Sequence, residues 1–512
     1  MKIRYILTIL TVGLLATACS EDRLNQSNEN EVTVDQYFKN TDELKAATNG
    51  VYARMLGGNL WGRAAMYLFE CRAEESRAGG GQLEVHNQRV LNGTYDYTES
   101  PIAEVWDGFY QMIHRANSVI ENGPFVPNIA EADLDRCVAQ AKFLRAYAYY
   151  HLVTLWGKVP VYTAVVNDPS DYRAVSDESE IQSLLETDLK EVIGLLPASY
   201  TGADRGRATK GAAELLLART YMHFGKFAEA KTVLEDIYTS GTYALVDEYA
   251  ENFREANEYN KESIFEIGFM GAGYTWNPTG DNTQSRSTIM YQDYNPTDWR
   301  NLIPSEKYLN EFETPQKGDP KEDPRLRKSV LFYGDHYGST NQFVMGVDAV
   351  SGGDLPLFNG VVVAGWQKYI PYYNTTVAKI GYYQSDNNFR NMRYAEVLLK
   401  LAECEAQVST TFDKARGYLN ELRNRASVQM ENYPTAKYPC NSKAEMYKAI
   451  AHEATIELGM EHVRVLDNAR WRKNGIIPTI LPEPVAYIAA DASKALLPIP
   501  KNEVKANPKM NP

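Results

Sequence analysis

Residues 210–237 read KGAAELLLARTYMHFGKFAEAKTVLEDI, and their register decides the fold class. Ala218 and Ala230 are small where two antiparallel helices must approach, while Tyr221, Leu234 and Ile237 are large enough to fill the groove between them. Gly225-Lys226-Phe227 lies between the two runs as the turn. This is the packing pattern of a tetratricopeptide repeat, a helix pair that buries its apolar face only by stacking on neighbours. A second, degenerate pair runs from Arg393 through Ala402 and on to Ala415, Leu419 and Leu422. Helical periodicity also marks Asp42 to Arg54, Ile102 to Glu121 and Ala139 to Trp156. In the last of these, Phe143, Tyr147 and Tyr150 share a face with Leu144, Ala148 and Leu152 beside them, more apolar surface than an exposed helix carries. That helix is placed centrally, and Gly157 followed by Pro160 ends it. The expected fold is mainly α: a tetratricopeptide-like helical-pair scaffold with a loop-rich insertion containing a few short strands.

The insertion is residues 268–388, where Pro and Gly recur among aromatics and Asn. Two short apolar runs, Gln342-Phe343-Val344 and Gly360 to Val363, read as brief strands. The frame is then 35–267 and 389–480, and the Pro- and Asn-rich end, 481–512, is expected to pack as extended chain. Lys448 to Lys473 reads as one helix. Its Glu461, Arg464, Asp467 and Arg470 alternate in sign at three-residue spacing, a ladder expected to form buried ion pairs rather than a reactive cluster.

At the N-terminus, Lys2 and Arg4 flank the start of an apolar run, Tyr5 to Leu15, and Ala16-Thr17-Ala18 leads into Cys19. That order is expected of a secretory leader over 1–18. A cysteine directly after the small residues marks the lipoprotein variant, in which Cys19 is acylated and holds the chain at a bilayer surface. The polar stretch 19–34 reads as a flexible tether, and 35–512 as a single domain. The formal net charge of −13 repels phosphate backbones, so nucleic acid is not an expected partner. Cys71, Cys137, Cys404 and Cys440 are far apart and lack CxxC spacing, which leaves free buried thiols, with one bridge still open. The 35 Tyr and 7 Trp supply rings of the kind that binding surfaces use.

Reactive motifs are sparse. His452-Glu453 is followed by Ile456 where a zinc-protease helix needs its second histidine. Gly271-Ala272-Gly273 lacks the third glycine of a dinucleotide loop, and there is no GxSxG elbow. No metal or cofactor is expected. Carboxylates cluster at Glu74-Glu75, at Asp319 with Glu322-Asp323, and at Glu453, Glu457 and Glu461. Glycoside hydrolysis would need two of them across one cleft.

Several segments together resemble the SusD/RagB family of outer-surface nutrient-binding lipoproteins. Thr41-Asp42-Glu43-Leu44 through Asn49-Gly50-Val51-Tyr52 is similar to the family's first helix, and Trp106-Asp107-Gly108-Phe109-Tyr110 with Ala116 to Ile120 to its next. The most specific match is Ala141 to Tyr147, ending in Gly157-Lys158-Val159-Pro160. Arg393 to Leu399 with Ala402-Glu403, then Glu457-Leu458, Glu461, Arg464, Asp467 and Arg470-Trp471, and the tail Leu497-Pro498-Ile499-Pro500 complete it. His462, Ala454 and Asn468 depart from the family's usual glycine, arginine and leucine. The resemblance implies a non-catalytic surface protein, lipid-anchored to the outer membrane, that binds oligosaccharide or polysaccharide and delivers it to a SusC-like TonB-dependent transporter. A peptide-binding member of the family is the alternative, with a surface glycoside hydrolase or a purely structural helical adaptor behind it.

In such proteins the site is built by the loop after the first helices and by the insertion. Flat rings stack on sugar C–H faces, while Asn, Asp, Arg and Gln take the hydroxyls. The candidates are Arg77, His86, Tyr95 and Tyr97 near Gly79-Gly80-Gly81, with Tyr274, Trp276, Asn277, Tyr291 and Trp299 from the insertion. Trp276 leads them, because a polar loop offers a core tryptophan little to pack against. Trp61 and Trp366 rank lower, and Trp106, Trp156 and Trp471 belong to the frame.

Overall fold

The quoted stretch folds as two helices, Lys210–His223 and Phe227–Thr239, and Gly225 turns the chain between them at φ 76°. A left-handed backbone there suits glycine, and it lets the Lys226 N–H reach the Tyr221 carbonyl at 2.8 Å. Ala218, Ala230, Leu234 and Ile237 are all buried, and the Lys190 and Lys226 ammoniums lie over the Tyr221 ring at 5.6 and 5.7 Å. The computed structural model describes residues 37–168, 170–270, 288–296, 299–337, 343–344, 357–370 and 386–510.

In chain order the helices of the first half are α1 (Thr41–Met55), α2 (Ala64–Cys71), α3 (Val85–Asn92), α4 (Ser100–Asn122), α5 (Glu131–Trp156), α6 (Glu178–Ile193), α7 (Lys210–His223) and α8 (Phe227–Thr239). Asn40 caps α1, its side-chain oxygen accepting from the Glu43 N–H at 3.0 Å while its amide donates to the Glu43 carboxylate. Thr209 and Ser442 cap their helices in the same way. Successive helices pack pairwise, α4 on α5, α5 on α6, α6 on α7 and α7 on α8. Residues 143–156 of α5 are buried throughout, as its periodicity requires. Each Leu or Phe sequestered there is worth about 1.5–3 kcal/mol relative to exposure.

Across the insertion come α9 (Met290–Tyr294), α10 (Glu306–Glu311) and α11 (Leu326–Ser329), followed by α12 (Tyr394–Val408), α13 (Asp413–Arg423), α14 (Lys443–Leu458), α15 (Arg464–Lys473), α16 (Ala486–Ala490) and α17 (Lys501–Ala506). Helix α12 packs on α8, α13 and α14, so the second helix pair extends the stack begun by the first. The chain is mainly helical, with few short strands. Strand β1 (Ser76–Ala78) pairs antiparallel with β3 (Leu302–Pro304), and β2 (Ser263–Ile267) with β9 (Phe389–Arg393). Strands β4 (Val330–Phe332), β7 (Leu357–Phe358) and β8 (Val361–Trp366) form one small sheet, and β5 (His336–Tyr337) pairs with β6 (Phe343–Val344).

Two expectations need correction. Lys448 to Lys473 is not one helix: α14 ends at Leu458 and α15 starts at Arg464. The chain leaves the helix at Gly459, whose ψ is 137°, and Met460 and His462 then adopt φ 61° and 58°; a Cβ on Gly459 would stand 2.2 Å from the Tyr308 ring. His462 thus occupies a left-handed backbone position where the family resemblance expects glycine. The carboxy-terminal segment is also not wholly extended, since α16 and α17 interrupt it. Cys71, Cys137, Cys404 and Cys440 are free and buried.

The alternating ladder is broken up by that turn. Asp467 and Arg470 do pair within α15, at 2.7 Å, but Arg464 reaches Glu74 and Glu461 meets Arg393 and Lys368. Glu453 and Glu457 are fully buried. Arg325 bonds both at 2.6 and 2.9 Å together with Asp323, Arg425 bonds Glu457 and Glu262, and Arg423 bonds Glu453 and Glu313. Desolvation opposes ionisation here, yet the surrounding arginines hold both glutamates below the usual carboxylate range. These carboxylates tie the insertion to α14 and the frame.

Candidate functional site

The first loop and the insertion meet through β1 and β3, where Arg77 lies opposite Ile303. Beyond β1 the chain reaches Gly79, whose N–H bonds the Asn301 carbonyl at 3.1 Å and whose carbonyl accepts from Arg300. A Cβ on Gly79 would stand 2.4 Å from the Arg300 carbonyl oxygen and 2.5 Å from Ile303. Only glycine permits that approach, which accounts for one member of the Gly79-Gly80-Gly81 run. Arg300 is buried at φ 45°, and burial pushes its guanidinium below the ordinary value.

Next to this junction Arg63, at the start of α2, gathers both segments. Its Nε and Nη2 donate to Asp293 at 3.0 and 3.1 Å, and Nη2 also donates to Glu84 at 2.5 Å. The Trp299 ring lies 5.8 Å from the guanidinium carbon and the Tyr67 ring 5.2 Å. Tyr67 stacks on Tyr294 and accepts from Asn301 at 2.8 Å. Burial raises the Asp293 carboxyl above its usual value, with Arg63 opposing. Beside them opens a cleft of 380 Å³ lined by Gly58, Asn59, Arg63, Tyr67, Glu84, His86, Asn87 and Glu104. Desolvation lifts the Glu104 carboxyl. His86 keeps half its side chain exposed while Nδ1 meets the buried Glu99 at 2.5 Å.

Of the sequence candidates, His86 lines this cleft and Trp299 lies by Arg63 at its side, while Arg77 is placed in β1 opposite Ile303. Tyr95 is buried: its hydroxyl accepts from Arg72 and donates to the Lys494 carbonyl, fastening the carboxy-terminal segment. Tyr97 is 44% exposed and has Lys501 over its ring, on that same segment. Tyr291 is buried and donates to Glu255 at 2.6 Å. Packing and internal hydrogen bonds occupy Tyr95 and Tyr291. Tyr274, Trp276, Asn277 and Cys19 lie outside the described residues. Trp61 and Trp366 are core residues. Arg63, Tyr67, Glu84 and Asp293 were not among the candidates; only the triple glycine hinted that this loop is met at close quarters.

A model described as SusD family matches residues 261–512, and one described as starch-binding associating with outer membrane matches residues 22–222. The chain belongs to the SusD family. Among SusD relatives, SusD-like protein P2 of Formosa agariphila is 27% identical over 526 residues, which cover 99% of each chain. A SusD superfamily protein of Bacteroides vulgatus has the same fold, with a TM-score of 0.74 at 22% identity over 93% of this chain and 99% of its own. A solved structure described as a laminarin binding SusD-like protein gives a TM-score of 0.70 at 24% identity, over 92% and 98%.

Proposed function

We propose that this chain binds oligosaccharide or polysaccharide at the cell surface and delivers it, unaltered, to a SusC-like TonB-dependent transporter. Cys19 would carry the lipid anchor in the outer membrane. The observation that carries the reading is the meeting of Trp299 with Arg63 beside the cleft. A flat ring there offers a surface for sugar C–H groups, while Arg63, Glu84, His86 and Asn87 offer the donors and acceptors that hydroxyls need. A fold relative described as laminarin binding and the family description as starch-binding point to the same ligand class. Two of the clustered glutamates, Glu453 and Glu457, are sealed among arginines, where they favour a structural role over catalysis.

Affinity electrophoresis of the mature chain through gels containing starch, laminarin or xylan tests this. Retardation by at least one glycan, lost in Trp299→Ala and accompanied by no release of reducing ends, is the expected result. Uniform failure with sugars but binding of peptides would replace it with the peptide reading, and sugar release would replace it with a glycosidase. Trp276→Ala is the companion variant for the insertion's leading candidate.

A further inference from the structure

A second and larger cleft, of 670 Å³, opens between the end of α1 and the β2–β9 pair, and the first cleft leaves it unexplained. Their linings come within two residues of each other along the chain, at Leu56 and Gly58. Residues 55–65 form a tight turn in which Trp61 N–H bonds the Met55 carbonyl, Gly62 the Gly57 carbonyl and Ala64 the Gly58 carbonyl. Met55 and Leu56 line the second cleft, while Gly58, Asn59 and Arg63, the residues that follow, line the first.

The second cleft is built rather than incidental. Tyr259 stands in it at φ 54°, a left-handed backbone that few non-glycine residues adopt, fixed by its N–H on Glu266 at 2.7 Å. Its hydroxyl lies 2.9 Å from where a Cβ would stand on Gly206 and, equally, on Gly268, so a side chain at either position would displace the ring. The exposed Arg205 guanidinium lies over the ring at 5.7 Å and makes no ion pair among the described residues. Glu258 accepts from the Asn388 N–H at 2.8 Å, and Met270 stands 52% exposed at the rim. Guanidinium, carboxyl and amide groups set beside tyrosine and methionine match a ligand that alternates hydroxyls with apolar C–H faces.

We infer that this cleft is a second saccharide subsite, holding the far portion of one glycan chain whose near portion lies in the first cleft, beside Trp299. The inference rests on the carbohydrate reading above and specifies its ligand as a chain rather than one or two rings. Neighbouring subsites on one chain act through effective concentration, so affinity rises with chain length until both are filled.

The test is titration calorimetry with a ladder of oligosaccharides, disaccharide to octasaccharide, cut from whichever of starch, laminarin or xylan the wild-type chain retains. Affinity is expected to climb along the ladder. Arg205→Ala and Glu258→Gln should each weaken the long members about tenfold while leaving the disaccharide unchanged, and Trp299→Ala should weaken every member. Arg205 is exposed, so its removal spares the fold, and Glu258→Gln keeps the side-chain shape. Wild-type affinity for long members in both variants, or affinity that stops rising once the shortest members bind, overturns the second subsite alone. Failure of all three glycans to bind the wild type overturns the carbohydrate reading and the subsite with it, whereas full binding by Trp299→Ala overturns the placing of the near portion beside Trp299 and so the two-cleft chain.

Discussion

Arg219 of α7 and Glu396 of α12 meet fork to fork in the interior, Nε to Oε1 at 2.7 Å and Nη2 to Oε2 at 2.6 Å, with both side chains 2% exposed. One lies in the first tetratricopeptide-like pair and the other in the second, so this contact locks together two halves of the stack that the insertion separates in sequence. Arg219 also donates to the Asn391 carbonyl on β9. Removing one partner of such a pair strands a buried charge. Arg219→Met is expected to cost about 3–5 kcal/mol, read by urea denaturation. The double variant Arg219→Met with Glu396→Leu should recover part of that loss, and a loss equal to the sum of the two single variants would show that the pair does not couple.

Gly79→Ala probes the junction between first loop and insertion. Its new methyl would face the Arg300 carbonyl and Ile303, both within 2.5 Å of the Cβ position, so β1 must shift away from β3. Expected are a stability loss of about 1–3 kcal/mol and a larger proportional loss of glycan binding. Unchanged binding in electrophoresis would detach the junction from the site.

Trp299→Ala and Trp61→Ala should part company. Trp61 is 1% exposed and packs on Phe69 and Phe389, so its truncation is expected to cost about 3–5 kcal/mol of stability. Trp299 is half-buried, and its loss should leave the melting temperature near wild type while weakening glycan binding roughly tenfold, about 1.4 kcal/mol. Differential scanning fluorimetry beside calorimetry separates the two.

Acid should unfold this chain in two stages. Burial pushes the His151 and His223 imidazoles down to about 3, whereas an unfolded histidine titrates near 6.5. Stability is therefore complete above roughly pH 6.5 and falls below it, as the unfolded chain takes up protons that the folded chain refuses, by up to about 1.4 kcal/mol per pH unit for each histidine. A second loss begins below about pH 4.3, because Glu453, Glu457 and Asp467 keep lowered values despite burial, held by arginine and lysine. His223→Leu should roughly halve the slope of the first limb, leaving His151's share, and leave the second unchanged. Denaturation midpoints measured from pH 8 to 3 would show it.

The frame was legible because its signals are local: the small and large positions of 210–237, the aromatic face of α5 and the Arg393–Leu399 run each declare a helix within a few turns. The break at 459–463 was not, since the Tyr308 ring that leaves room only for glycine at 459 is a neighbour more than a hundred residues away. The five- and six-residue helices α16 and α17 are too short to show a period. At the site, the triple glycine and Trp299 could be picked out by chemistry. Arg63 could not, because its role comes from Asp293, which only the folded chain brings to it.

Strands β2 and β9 lie side by side, so the long excursion they bracket departs from and returns to a single spot on the frame. Such an arrangement invites exchange: a different excursion could be grafted between the same two strands to change what is gripped, with the helices untouched. The graft carries one condition. Arg325 and Lys368 belong to the excursion and neutralise Glu453, Glu457 and Glu461 beneath it. A transplant that omitted these two cations would leave Glu453, Glu457 and Glu461 to Arg423, Arg425 and Arg393 of the frame alone, so the cassette brings part of the interior's counter-charge with it.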